Sequence, residues 1–175
     1  MKAIADFCEG PFDKHGIVLD NQERLPDHFS GASLAIVAAH GSLNPFGGTF
    51  QVVSDEGRLA VSAGDLARSL HNVSVVLLFV CSGGRADKHP ASDATMGLAR
   101  DVLDQGAQAV VASPWPLNSL VPPYWLPTFL RHWDSGNTLA ASVHAANRHL
   151  FERSGNDIAQ GLAMMVIGNP DVTCR

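Results

Sequence analysis

A chain of 175 residues, 46 % apolar and 17 % charged, is long enough to bury a core and too apolar to be a disordered tail. Its formal charge of −5, with no run of Lys or Arg, argues against a nucleic-acid-binding surface. The longest apolar stretch, about eight to ten residues, falls short of the ~20 that span a bilayer, and no signal-peptide pattern opens the chain. Cys8, Cys81 and Cys174 form no disulfide framework and fit a reducing cytoplasm. No CxxC or HExxH spacing offers a metal site, and no cofactor is expected.

Residues 1–32 are poorly patterned, with turn residues around a short Ile17-Val18-Leu19 run, and the folded domain is expected over 33–175. Residues 34–39 read as a buried strand ending at His40-Gly41, followed by a Pro- and Gly-rich loop over 42–48. Residues 50–53 and 58–61 read as a hairpin, after which Ser62 to Asp65 cap a short helix over 66–70. The run 73–80 is the central strand: seven of its eight residues are apolar, as in a strand buried on both faces. It ends at Cys81-Ser82-Gly83-Gly84.

Residues 83–89 read as a loop and 93–105 as a helix, from the helical spacing of Met96, Leu98, Ala99, Val102 and Leu103, with Gly106 as the stop. Residues 107–112 form a third buried strand, closed by Ser113-Pro114-Trp115-Pro116. Strand, helix and strand in that order require a right-handed crossover and a parallel pairing. Two helices follow, over 120–133 and 138–153, with Pro127 expected at an end or a kink. A last strand is expected over 161–167. The sum is one α/β domain around a mainly parallel sheet.

In open α/β sheets the chemistry sits beyond the carboxyl ends of the strands. One buried strand ends in His40-Gly41 and another in Cys81-Ser82-Gly83, so an imidazole and a thiol are candidates for one site. A thiol attacks as thiolate, and a nearby imidazole can take its proton. The backbone N–H groups of Gly41 and Cys81 are candidate oxyanion donors, and Gly83 and Gly84 keep the sulfur unobstructed. The competing reading is a small buried Cys and a solvated His. His132, His144 and His149 fall on helices and read as surface residues.

Several segments in a fixed order carry a resemblance: 38–41, 59–66, 77–83, 93–99, 106–116, 140–147 and 167–170. Over about residues 33–170 the chain resembles the CHAT domain, a family of caspase-like peptidases often attached to tetratricopeptide repeats and related to separases, metacaspases and caspases. The resemblance implies a caspase-like three-layer α/β sandwich and a cysteine endopeptidase of regulated processing or defence. His40 would be the base and Cys81 the nucleophile of an acyl-enzyme mechanism, with a protein or peptide as substrate and a partner protein or repeat domain alongside. Ser113 and Trp115 would line the substrate cleft, although Trp115 reads equally well as a core anchor.

Two departures accompany the resemblance. The 32 residues before the His40 strand are too few for the strand–helix–strand unit that precedes it in caspase-like folds, so part of the N-terminal unit is expected to be lacking. Relatives that cut after Arg or Lys often carry an acid two residues before the Cys, where this chain has Phe79. Asp87 and Asp93 are the alternative acids for such a pocket, against plainer readings as a loop acid and a helix N-cap. The competing functions are a catalytically silent CHAT-like interaction module and a flavodoxin-like phosphate-binding domain. No helix follows Gly83-Gly84 at once and no GxGxxG is present, which disfavours the last.

Overall fold

The computed structural model describes residues 25, 29, 32–43, 50–53, 59–80, 87–88, 95–155 and 157–174. Among them the elements run β1 (Leu34–Leu43), β2 (Phe50–Val53), β3 (Ala60–Ser62), α1 (Ala63–Ser69), β4 (Val75–Val80), β5 (Asp87–Lys88), β6 (Thr95–Met96), α2 (Leu98–Asp104) and β7 (Ala109–Ala112). They continue with α3 (Val121–Asp134), α4 (Leu139–Arg153), α5 (Ile158–Gly161) and β8 (Met165–Gly168). The main sheet has the order β3-β2-β1-β4-β7-β8. Its centre, β1-β4-β7, is parallel, while β2, β3 and β8 join antiparallel.

All six residues of β4 are buried. Because side chains alternate along a strand, they supply two cores. Val75, Leu77 and Phe79 face a layer made by α3 and α4, with Ala109 and Val111 of β7 beside them. Val76, Leu78 and Val80 face the layer of α1 and α2, with Val110 and Ala112. The result is the expected three-layer α/β sandwich. Leu25 and Phe29 also pack on the α1–α2 side, and the Phe29 N–H donates to the Ser69 carbonyl at 3.1 Å.

The aromatic stripe of α3 repeats at i, i+4 and i+8. Trp125 stacks on Phe129 at 4.9 Å, Phe129 on Trp133 at 5.9 Å, and the edge of Phe79 meets Trp125 at 5.7 Å. The buried indole N–H of Trp125 donates to Asn147 Oδ1 at 2.8 Å, and Asn147 Nδ2 donates to the Met164 carbonyl at 2.7 Å. One amide thereby satisfies polar groups from two elements. Pro127 sits inside α3 rather than at an end; burial of the aromatic stripe outweighs the loss of one helical N–H.

Ser62 caps α1 as expected. Its hydroxyl accepts from the Asp65 N–H at 3.1 Å and donates to Asp65 Oδ2 at 2.7 Å. The Ser62 hydrogen bond first, and the Arg68 charge after it, hold the Asp65 carboxyl below its ordinary range.

Three differences from the expected boundaries are the largest. The strand expected over 34–39 continues to Leu43, because His40 to Leu43 find a second partner in β2. The helix expected over 93–105 begins only at Leu98, since Thr95 and Met96 pair with Asp87 and Lys88 in a two-stranded ribbon between the expected loop and the expected start of the helix. The last strand, expected over 161–167, is split: Ile158–Gly161 is a helical turn and β8 begins at Met165. An apolar run carries no period that marks this break.

Two predictions follow from backbone and charge. Gly168 has φ +100°, and a Cβ there would lie 2.6 Å from the Gln108 carbonyl oxygen, a backbone atom of the adjoining β7 segment. Gly106 has the same φ and nothing within 4 Å. Gly168→Ala is expected to cost about 2–4 kcal/mol in denaturant unfolding and Gly106→Ala only about 1 kcal/mol; equal losses would contradict this packing.

Desolvation, with the Asp104 charge adding to it, raises the Asp101 carboxyl above its ordinary 3.8. The folded state therefore favours the protonated form. That contribution is fully present below the ordinary value and is lost as pH rises through the raised one. Asp101→Asn is expected to be more stable than wild type at pH 7 and to match it at pH 3, read from denaturant unfolding at the two pH values.

Candidate active site

The site lies at the carboxyl end of the described β1–β4 ladder. The two strands pair in parallel from Leu34↔Val75 to Ala39↔Val80 among the described residues. The next residue of the first strand is His40, which is exposed and pairs with Val53 of β2 on the other side of β1. His40 is thus not a strand terminus but lies inside β1, which continues to Leu43. Gly41 follows in the same ladder, opposite Val52. By alternation His40 shares the parity of Leu34, Ile36 and Ala38, which pack on the α3–α4 side.

Cys81 follows Val80 in the chain and lies outside the described residues, as does Asp93. The N-cap expected of Asp93 is overturned for this helix, because Gly97 holds the N-cap position. Asp87 is in β5, with its backbone opposite Met96, and so belongs to a strand rather than a loop. Phe79 is 4 % exposed against Trp125. An acid at that position would be buried among aromatic side chains.

Ser113 and Trp115 lie just past the carboxyl end of β7. The Ser113 hydroxyl is fully buried; it donates to the Trp115 carbonyl at 2.9 Å and accepts from the Trp115 N–H at 3.2 Å. It shapes the turn that carries Trp115. The indole of Trp115 is 50 % exposed, with its N–H donating to the Leu162 carbonyl at 3.1 Å. This excludes the core-anchor reading. Leu162 and Met165 are also exposed, and Met165 opposes Ala112 at the same end of the sheet. Sequence reasoning missed the exposure of both residues because it placed them in one closing strand. Asn118 closes the turn into α3, its Oδ1 accepting from the Leu120 N–H at 2.9 Å.

The CHAT domain profile matches residues 15–163, from within the poorly patterned N-terminal segment to the turn before β8. The chain belongs to the CHAT domain family. No curated protein matches it. The family points to a caspase-like peptidase relationship, which agrees with a parallel centre flanked by helices and with His40 at the carboxyl end of the β1–β4 ladder. Among the described residues, no helix of this CHAT domain is long and apolar enough to cross a membrane.

The exposure of Trp115 sets a test. Trp115→Ala is expected to cost at most about 1 kcal/mol of stability, while Trp125→Ala, which empties the core between Phe79 and Phe129, costs about 3–5 kcal/mol. A Trp115→Ala loss as large as that of Trp125→Ala would restore the core-anchor reading.

Proposed function

We propose that this CHAT domain is a cysteine endopeptidase with a His40–Cys81 dyad. The supporting observation is the β1·β4 register. The rung Ala39↔Val80 joins the residues that immediately precede the two candidates in the chain. Position 81 also has the sequence parity of Val75, Leu77 and Phe79, just as 40 has that of Ile36 and Ala38, and both sets belong to the α3–α4 side.

In this reading the Cys81 proton passes to the His40 imidazole and Sγ attacks the scissile carbonyl carbon. The oxyanion forms against the Gly41 and Cys81 N–H groups. The C–N bond then breaks, and the amine leaves with the proton from His40. Water, deprotonated by His40, attacks the thioester and releases the acid and the free thiol. Trp115, its indole N–H on the Leu162 carbonyl, offers an apolar wall for substrate, and Ser113 shapes the turn that carries it. The acids Asp87 and Asp93 are the remaining candidates for a basic-residue pocket. The substrate is a protein or peptide, with a partner protein or repeat domain as the regulator.

The test is cleavage of a mixed peptide library, with products read by mass spectrometry. Cys81→Ala and His40→Ala are each expected to lower kcat/KM by at least about 10³-fold. Their unfolding midpoints are expected to stay within about 2 °C of wild type. Unchanged cleavage in either variant would remove the dyad. A stable fold with no cleavage even in the wild-type chain would favour the silent interaction module.

A further inference from the structure

Helices α3 and α4 form an antiparallel hairpin whose inner stripes, such as Phe129 and Leu130 against Val143 and Ala146, close the core. The neighbouring stripes, one step round each helix, face outward and enclose a groove of about 650 Å³. Its walls carry Arg131 and His132 from α3, and His144, Arg148, His149 and Glu152 from α4. The chain as a whole has a formal charge of −5. The groove reverses that sign.

The cations are unequally compensated. Arg148 Nε is paired with Glu152 Oε1 at 2.8 Å. The Arg131 guanidinium donates to a neutral group, Thr128 Oγ1, at 3.1 Å, and among the described residues no carboxylate ion-pairs with it. Two other charged groups of this hairpin lie off the lining: Asp134, and Arg153 with its guanidinium 3.9 Å over the Tyr124 ring. Three imidazoles add further hydrogen-bond donors.

The groove runs along the hairpin from one end of the sheet toward the other. The start of α4 is tied to the segment after β8, where the Leu139 N–H donates to the Val172 carbonyl at 2.7 Å and the Ala140 N–H to the Pro170 carbonyl at 3.0 Å. Since β8 runs antiparallel to β7, this is the amino end of the parallel strands, and Asn147, bonded to the Met164 carbonyl just before β8, brings the later turns of α4 toward their carboxyl end.

We propose that the α3–α4 groove is a docking surface for an acidic peptide segment of a partner protein. Arg131, Arg148, His144 and Arg131's neighbour His132 offer donors on both walls, and guanidinium groups hold carboxylates through paired hydrogen bonds. Most of the lining side chains are exposed, so an occupant keeps one side in water, as an extended peptide does. Among the described residues no trio of His, Cys, Asp or Glu is arranged to hold a metal ion. Two permanent cations on an acidic molecule also supply too little counterion release for a nucleic acid.

The experiment is fluorescence anisotropy of a labelled hexaglutamate peptide with the full chain, at low and high salt. Hexaglutamine and a six-residue oligothymidylate serve as competing probes. Hexaglutamate is expected to bind with a Kd of about 10–100 μM at low salt, at least about tenfold weaker at 0.5 M salt. Arg131→Glu and, separately, His144→Glu are expected to weaken it at least tenfold with unchanged unfolding midpoints, whereas Glu152→Lys tightens it severalfold. Equal binding of hexaglutamine, stronger binding of the oligonucleotide, or folded Arg131 and His144 variants that bind normally would overturn the proposal. The readout is binding alone, so it stands or falls separately from the peptidase reading.

Discussion

The burial of β4 on both faces is the constraint on which everything else in this molecule depends. Six consecutive apolar residues with almost no exposure cannot sit at the edge of a sheet or face water on either side. Burying each such side chain is worth roughly 1.5–3 kcal/mol relative to exposure, so the strand takes β1 and β7 as neighbours and a helical layer on each face. The alternation of its side chains decides which helices cover which face. From that single strand follow the parallel centre, the sandwich and the level at which the loops emerge.

The same constraint arranges the candidate chemistry. β1 runs on past the rung Ala39↔Val80 to Leu43 and pairs with β2 on its other side. His40 is the first residue of that continuation. A rigid, buried ladder beneath it fixes the backbone, while the side chain itself is exposed, the combination a catalytic base requires. On the far side of β4, the short β7 ends at a turn closed by the Ser113 hydroxyl, which turns the Trp115 ring outward instead of into the core. The candidate site is thus flanked by β1 and β7, on either side of β4.

How much of this was legible in the sequence varies by element. β4 and β7 stood out because a strand buried on both faces is a plain apolar run, and their parallel pairing followed from the helix between them. The helices α3 and α4 stood out from their 3.6-residue spacing. The continuation of β1 to Leu43 was not visible, since its partner is a strand elsewhere in the chain and Pro45 and Gly47 suggest a loop. The β5–β6 ribbon was hidden for the same reason: two residues on each side have no period. The turn between α5 and β8 was hidden by the apolar residues 161–167, and with it the Leu162 carbonyl that accepts from the Trp115 indole. His40 and the family resemblance were readable from the sequence; the exposure of Trp115 and the inward hydroxyl of Ser113 were not, because they depend on hydrogen bonds that no spacing encodes. Cys81, Asp93 and Gly83 lie outside the described residues, so their part of the site rests on the sequence.

The most direct measurement is the rate of Cys81 alkylation as a function of pH, in a Cys8→Ser, Cys174→Ser background that leaves Cys81 as the sole thiol, with and without His40→Ala. An assembled dyad predicts fast alkylation well below pH 8 that falls at least about tenfold when His40 is removed, since reactivity follows the thiolate fraction. A rate that rises near the ordinary thiol range and is the same in both proteins would contradict the dyad, and the peptidase reading with it.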